Sequence, residues 1–268
     1  MVIIMEVYVL ASGSKGNMTL IQTEKSFFFI DAGISMTKMK QKLDNYQLDY
    51  RKVESLFITH EHQDHIMGLK GLLKLNTIKQ VYITKGTYEY LPSEIKKMMP
   101  EIIFIKSDMP FYHNELKVIP MMLSHDANEP VGFVFNGENN KKLVHLTDTG
   151  YVHEAYHEMI ENADLYILES NHNPITLMKS SRPHYLKQRI MNELGHLSNI
   201  EAALLMNKVV NNGKKAKWVV AHISEDCNNQ FDIEEAIVAT FDNPNKVEVY
   251  FSSQESLEVI KIWLKLLR

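Results

Sequence analysis

Four side chains that commonly bind metals lie close together in the first quarter of the chain. His60, His62, Asp64 and His65 occur in the run Thr59-His60-Glu61-His62-Gln63-Asp64-His65. The apolar run Leu56-Phe57-Ile58 ends directly before them, so the cluster should follow a buried strand. Imidazole and carboxylate are ligands of Zn²⁺ or Mn²⁺. A polar surface loop is the other interpretation, but four ionisable groups at this spacing favour a catalytic metal site.

Three further candidate ligands are distributed along the rest of the chain. His125 and His222 are histidines at the ends of apolar runs, and Asp148 directly follows another such run. A single histidine is more often a hydrogen-bonded structural residue than a ligand. Strand ends at one edge of a sheet, however, place such side chains in the same loop region. Together with the histidine cluster, the three residues therefore predict one metal centre.

Apolar periodicity predicts an α/β architecture around these residues. Predicted strands cover residues 6–10, 19–22, 27–30, 55–59, 81–84, 132–135, 143–146, 165–169, 218–221 and 246–250. Predicted helices cover residues 35–43, 67–73, 184–194, 199–210 and 253–267. Residues 136–142 predict a hairpin loop, and Ser198 with Glu201 predicts a capping box. Two strand-rich halves with flanking helices favour an αββα sandwich, formed by a single domain over residues 1–268.

Composition limits the classes of protein. The 268 residues are 45% hydrophobic and 23% charged, as in globular proteins, and no apolar run approaches the roughly 18 residues of a membrane span. The apolar start reads as a strand and lacks the features of a signal peptide. Cys227 is the single cysteine, which excludes an intrachain disulfide and a multi-cysteine zinc site and predicts a cytoplasmic location. The net charge of −4 gives no overall basic footprint for a long nucleic acid.

The order of the candidate ligands resembles the motifs of the metallo-β-lactamase superfamily. Asp31, which closes the run Phe28-Phe29-Ile30, resembles the structural aspartate that orients the histidine loop in that superfamily. The resemblance implies the αββα fold and two divalent metal ions, with Zn²⁺ as the first expectation and Mn²⁺ as the second. The implied ligands are His60, His62 and His125 for one ion and Asp64, His65 and His222 for the other, with Asp148 bridging.

Four further motifs resemble the YycJ/WalJ branch, which is described as DNA exonuclease-like. Phage anti-Pycsar proteins, which open 3′,5′-cyclic nucleotides such as cCMP and cUMP, are similar too, and transfer RNA 3′-processing enzymes are more distant. The resemblance also implies a homodimer, and a host cytoplasm if a phage encodes the chain. The motifs are Leu10-Ala11-Ser12-Gly13-Ser14-Lys15-Gly16-Asn17, Glu169-Ser170-Asn171-His172-Asn173, Gly195-His196-Leu197-Ser198-Asn199 and Ala221-His222-Ile223-Ser224-Glu225.

The resemblance implies hydrolysis of a phosphodiester by a water molecule that the metals activate. Asp64 is expected to bind metal and to accept a proton from that water. His196 is the candidate general acid for the leaving oxygen, and Glu169 is expected to orient it. The predicted substrate-binding residues are Ser14, Lys15 and Asn17. The remaining histidines are interpreted as structural: His113, His145, His153, His157, His172 and His184.

Three enzymatic functions compete. The first is hydrolysis of 3′,5′-cyclic nucleotides to linear monophosphates, the second is a YycJ/WalJ-like DNA exonuclease, and the third is a thiolester or lactone hydrolase. A binding protein with a degenerate site is disfavoured because every ligand position is filled. Only 22 residues separate His125 from Asp148, which leaves no room for a long substrate-binding arm. This spacing and the net negative charge favour a small nucleotide substrate over a long nucleic acid.

Overall fold

Two β-sheets form the centre of the molecule. The computed structural model describes residues 2–255 and 259–264, and within them each sheet has seven strands. The first sheet contains β1 (Val2–Ala11), β2 (Met18–Thr23), β3 (Phe27–Ile30), β4 (Ser55–Phe57), β5 (Gln80–Thr84), β6 (Glu101–Ile105) and β14 (Ile260–Leu264), in the order β14-β1-β2-β3-β4-β5-β6. The second contains β7 (Phe111–His113), β8 (Leu116–Met122), β9 (Val131–Asn136), β10 (Lys142–Leu146), β11 (Leu165–Glu169), β12 (Ala216–Ala221) and β13 (Val247–Phe251), in the order β13-β12-β11-β10-β9-β8-β7.

Helices connect the strands and cover the outer faces of the sheets. Those in the first half are α1 (Met36–Asn45), α2 (Gln63–Ile66), α3 (Leu69–Leu73), α4 (Lys85–Tyr90) and α5 (Ser93–Lys96). Those in the second half are α6 (His157–Ile160), α7 (Pro174–Lys179), α8 (His184–Met191), α9 (Asn199–Val209) and α10 (Gln230–Thr240). Among the described residues, none of the helices has the length and apolar character needed to cross a lipid bilayer.

The hydrophobic core has three layers, which confirms the predicted αββα sandwich. Aromatic side chains fill the space between the sheets, where the rings of Phe28 and Phe135, from opposite sheets, lie 5.4 Å apart. A second layer packs the first sheet against α1 and α3. A third packs the second sheet against α9 and α10. Because both faces of each sheet are buried, the central strands are apolar without alternation.

Parallel pairing brings the functional residues to one edge of the molecule. Strands β3 to β6 are parallel in the first sheet, and β10 to β13 are parallel in the second. The chain leaves β3, β10 and β12 at or just before Asp31, Asp148 and His222, each with a left-handed backbone (φ of 60°, 61° and 50°). Such φ values are uncommon outside glycine and turn the chain sharply at the strand end. The three side chains are therefore held where a continuing strand could not place them.

The C-terminal helix predicted for residues 253–267 is wrong where the structure describes it. Residues 260–264 form β14, which pairs antiparallel with β1. Ile260 and Ile262 are buried, whereas Lys261 between them forms an ion pair with Glu6 at 2.8 Å. This alternation has the period of a strand, and the pairing partner lies at the other end of the chain. The rest of the predicted helix, residues 256–258 and 265–267, lies outside the described residues.

Other local predictions agree with the structure or need small corrections. The capping box is present, because Ser198 accepts from the Glu201 backbone and Glu201 accepts from that of Ser198. The helix predicted for residues 67–73 corresponds to α3, which begins two residues later, and the short helix α2 lies before the predicted range. The sequence analysis did not predict strands β6, β7 and β8 or helices α2, α4 to α7 and α10.

Candidate metal centre

Three histidines from two loops form the first cluster of possible ligands. One ligand nitrogen from each of His60, His62 and His125 lies within 4.8 Å of the others, and His62 Nδ1 is 3.2 Å from His125 Nε2. His60 is fully buried, and burial with the charge of His65 holds its pKa well below the usual value. Burial also lowers the pKa of His125. Neutral imidazoles keep the electron pairs that a metal ion requires.

Two carboxylates and two imidazoles form the second cluster. Asp64, His65, Asp148 and His222 contribute ligand atoms that lie within 4.8 Å of one another. Asp148 Oδ2 is 3.1 Å from His65 Nε2, and Asp148 Oδ1 is 3.3 Å from His222 Nε2. The charge of Asp148 also acts on His60 in the first cluster. The Asp148 carboxylate thus contacts two imidazoles of the second cluster and acts electrostatically on one imidazole of the first.

The pKa values of Asp148 and His222 in the second cluster depend on their charged neighbours, because all of these side chains lie close together and are largely buried. Burial would raise the pKa of Asp148, yet His222 and His65 hold that pKa well below its usual value. Burial would likewise lower the pKa of His222, but Asp148, Asp64 and Glu169 raise it to about 9. Buried carboxylates need positive charge nearby, and a divalent cation bound to the same nitrogens would supply it in place of protons.

Asp31 fixes the orientation of the histidine loop. Its carboxylate accepts hydrogen bonds from the Thr59 backbone at 2.9 Å, the Thr59 hydroxyl at 2.8 Å and His65 Nδ1 at 2.7 Å. The Thr59 hydroxyl is also 3.0 Å from His60 Nδ1. Each imidazole is thus held at Nδ1, which leaves Nε2 to face the cluster. Partners of this kind set the tautomer and direction of metal-binding histidines.

His196 and Glu169 lie beside both clusters. The buried Glu169 carboxylate accepts a hydrogen bond from His196 Nδ1 at 3.0 Å and one from the Thr149 backbone at 2.5 Å. The His196 ring stacks on His222, with centroids 4.9 Å apart, and lies 5.3 Å from the ring of His125. The His196 side chain remains 18% exposed, so it connects the metal ligands with the surface.

The chain's relatives identify the superfamily to which this arrangement belongs. The profile of the beta-lactamase superfamily domain matches residues 27–223. The chain belongs to this superfamily. Exodeoxyribonuclease YycJ of Bacillus anthracis is 35% identical over 222 residues, covering 82% of this chain and 83% of the relative. Exodeoxyribonuclease WalJ of Streptococcus pneumoniae is 33% identical over 225 residues, 82% of each chain.

Solved structures agree with the metallo-β-lactamase fold. The metallo-β-lactamase fold protein YhfI of Bacillus subtilis superposes with a TM-score of 0.72 at 18% identity, covering 96% of this chain and 98% of YhfI. A diphosphatase of the PhnP family gives a TM-score of 0.68 at 17% identity, covering 98% and 100%. The fold and the YycJ/WalJ relationship are confirmed, and the chain is a metal-dependent hydrolase. Similarity to anti-Pycsar proteins stays a prediction.

Divalent metals fit the side chains at this metallo-β-lactamase centre. His60 Nε2 and His222 Nε2 are buried and have no hydrogen-bond partner among the described residues. An unpaired buried polar atom is costly unless something binds it. Both residues belong to groups of three or more possible ligands whose donor atoms lie within 4.8 Å of one another. The donor set of imidazole nitrogen and carboxylate oxygen suits Zn²⁺ or Mn²⁺.

The predicted substrate-binding residues separate into two environments. Ser14 and Lys15 are exposed, and Lys15 Nζ forms an ion pair with Glu225 at 2.5 Å. Asn17 is buried, and its Nδ2 lies 3.1 Å from Asp64 Oδ2. The loop therefore presents two side chains toward solvent and places the third against a candidate metal ligand.

Two residues near the centre were missed or set aside by the sequence analysis. Asp126 Oδ1 is 3.5 Å from His125 Nε2, and its other oxygen forms an ion pair with Arg189. Its position directly after His125 was the available signal. His172, interpreted as structural, is buried, and burial with the charges of His196 and Arg182 lowers its pKa to about 4. His172 therefore lies within electrostatic reach of His196.

Gly33 allows the loops of the centre to pack against each other. A Cβ at this position would lie 1.7 Å from the Asp64 carbonyl oxygen and 2.5 Å from the Asn17 backbone nitrogen. We expect Gly33→Ala to lower the free energy of unfolding by about 3 kcal/mol or more, because the added Cβ would force apart the backbones of the Asp64 and Asn17 loops. Gly213→Ala is the matched control, since nothing lies within 4 Å of its added Cβ. Chemical denaturation measures both; equal stability of the two variants would contradict the packing argument.

Proposed function

We propose that the chain is a dinuclear metal-dependent phosphodiesterase that acts on nucleotides, with the ends of DNA as its first substrate. The observation that carries this proposal is the His196–Glu169 pair, which lies next to both candidate ligand clusters. Two metal ions and an adjacent acid are the parts needed to displace an alkoxide from phosphorus.

Each residue has a distinct task in the proposed reaction. Bound divalent ions would lower the pKa of a water molecule and neutralise charge on the phosphate oxygens. Asp64, 23% exposed in its side chain, accepts a proton from the attacking water. His196 donates a proton to the leaving sugar oxygen. Glu169 holds His196 Nδ1 at 3.0 Å and thereby makes Nε2 the nitrogen that gives up the proton.

The curated relatives support DNA as the substrate. Both are named exodeoxyribonucleases, and each is matched over more than four-fifths of its own length. The superfamily match over residues 27–223 includes the segments that carry all seven candidate ligands. Hydrolysis from a DNA end is an in-line displacement at phosphorus. The candidate acid and metal ions bound by the candidate ligands would supply the groups that this displacement needs.

A cyclic mononucleotide is the second candidate substrate, and the distribution of charge favours it. The net charge is −4, and cations near the centre are already paired with carboxylates. Lys15 pairs with Glu225, and Arg182 pairs with Asp226 at 3.3 Å. A cyclic nucleotide presents one phosphate, which metal ions alone could neutralise, whereas a polymer uses several phosphate contacts.

A substrate panel distinguishes the candidates. We expect the purified protein, loaded with Zn²⁺ or Mn²⁺, to release mononucleotides from linear DNA and to leave covalently closed circular DNA intact. The cleavage rate should fall with added salt if several phosphates are bound. The panel adds 3′,5′-cyclic mononucleotides, a thiolester and a lactone, each with and without EDTA. Nucleotide release is measured by chromatography.

An inactive variant makes the panel decisive. Asp148→Asn, purified by the same procedure, reveals any contaminating nuclease because contamination would persist in it. Hydrolysis of cyclic nucleotides without DNA degradation would transfer the proposal to the second candidate. Turnover of the thiolester or lactone alone would overturn the phosphodiesterase proposal.

A further inference from the structure

The loop of residues 12–17 touches ligands that come from both halves of the molecule. It joins β1 to β2 in the first sheet, yet the Ser12 hydroxyl accepts a hydrogen bond from the His222 backbone nitrogen at 2.8 Å. His222 follows β12 in the second sheet. At the other end of the loop, the Asn17 backbone nitrogen donates to the Asp64 carbonyl oxygen at 2.7 Å. One short loop thus connects two candidate ligands of the same metal ion.

The side-chain amide of Asn17 has a defined orientation. Its Oδ1 accepts a hydrogen bond from the Gly13 backbone nitrogen at 2.8 Å, which assigns the other atom of the amide as Nδ2, and Nδ2 lies 3.2 Å from the Gly13 carbonyl oxygen. Nδ2 lies 3.1 Å from Asp64 Oδ2 and 3.0 Å from His65 Nε2. The assignment of an amide's oxygen and nitrogen follows from such partners. An N–H donor is therefore directed at the Asp64 carboxylate.

Asp64 needs a neighbour of this kind. Its carboxylate is 3.7 Å from His65 Nε2 and 3.6 Å from His222 Nε2, both beyond ordinary hydrogen-bond distance. The Asp64 side chain also retains 23% exposure, unlike the more deeply buried Asp148. A short carboxylate at the rim can rotate toward solvent unless a hydrogen bond holds it.

We propose that Asn17 is a positioning residue that holds the Asp64 carboxylate toward the second metal ion, and that its loop keeps Asp64 and His222 in register. The inference rests on the proposed metal ligands but not on the identity of the substrate. It assigns Asn17 to metal binding in place of the substrate contact expected from the sequence. Partners that orient metal ligands typically contribute about 10- to 100-fold to metal affinity.

Metal titration of the full chain tests this role without any substrate. Calorimetric titration of the metal-free protein with Zn²⁺ should give two binding events for the unchanged chain. Asn17→Ala should weaken one event by roughly 10- to 100-fold and leave the other within about two-fold. Imidazole ¹⁵N resonances identify the affected ion: those of His65 and His222 should respond at higher Zn²⁺ concentrations, whereas that of His60 should not.

Two further variants separate positioning from general loop structure. Asn17→Ser keeps a polar side chain but is shorter and lacks the amide N–H that faces Asp64 Oδ2, so it should reproduce the selective loss. It also covers the case in which Asn17→Ala does not fold. Asn207→Ala removes a hydrogen bond to the Thr240 carbonyl oxygen far along α9 and should leave both binding events unchanged.

The outcomes are distinct. Unchanged affinity for both ions in the Asn17 variants, or an equal loss for both, would overturn the positioning role. Failure of the unchanged chain to bind two ions would instead overturn the metal assignment and the proposed function with it. The unchanged chain could bind two Zn²⁺ ions but fail to hydrolyse DNA in the substrate panel. With a selective loss of Zn²⁺ affinity in the Asn17 variants, this result would support the Asn17 inference and reject DNA as the substrate.

Discussion

Asp148→Asn is expected to lower turnover by roughly 10³-fold or more, with loss of metal. The substitution keeps the shape of the side chain but removes the negative charge that faces His65 at 3.1 Å and His222 at 3.3 Å. Metal ions contribute several kcal/mol of charge stabilisation, and about 1.4 kcal/mol corresponds to a tenfold change in rate. Elemental analysis should find about two divalent ions per chain in the unchanged protein and fewer in the variant.

The control for this substitution is Asp44→Asn, which changes an exposed carboxylate on α1. It should retain both ions and full turnover. EDTA treatment of the unchanged protein should abolish activity, and Zn²⁺ or Mn²⁺ should restore it. An Asp148→Asn variant with two tightly bound ions and normal turnover would rule out the bridging role proposed for Asp148.

The candidate ligands could be predicted because the signal for each is local. Asp31, His60, Asp148 and His222 follow apolar runs within one or two residues, and these runs are the parallel strands β3, β4, β10 and β12. Parallel strands must deliver their ends to one edge, so short sequence patterns were enough to place the residues together. Local signals also identified the capping box at the start of α9.

Information about distant pairing was not available from local patterns. Strand β14 pairs with β1 from the opposite end of the chain, and without this partner the segment was predicted to be part of a helix over residues 253–267. The direction of the Asn17 amide likewise depends on the Gly13 nitrogen and the Asp64 carboxylate, which meet only when both loops are folded. A sequence motif identified this loop as a candidate site, but the motif alone does not show which side of the metal centre the loop faces.

Turnover should fall by roughly 10²- to 10⁴-fold in His196→Ala while both metal ions stay bound, as expected when a general acid is removed. Glu169→Gln should have a smaller effect, about 10- to 100-fold, because Glu169 acts on the leaving group through His196 and does not itself donate the proton. The double variant should be no slower than His196→Ala alone, since both changes disable the same proton transfer. His184→Ala, on the exposed start of α8, is the control histidine substitution.

The leaving group provides the decisive measurement for His196. A p-nitrophenyl phosphodiester releases an anion that is stable without a proton, so His196→Ala should hydrolyse it at nearly the rate of the unchanged chain. A DNA or cyclic-nucleotide substrate releases a sugar alkoxide, which requires the proton, so the full loss should appear there. The basic limb of the pH–rate profile, on which a general acid becomes deprotonated, should also move to lower pH in Glu169→Gln, because the carboxylate that faces the protonated imidazole is removed. A purely structural role would not produce this change. Equal losses on both substrates would show that His196 supports the site in some way other than donating a proton.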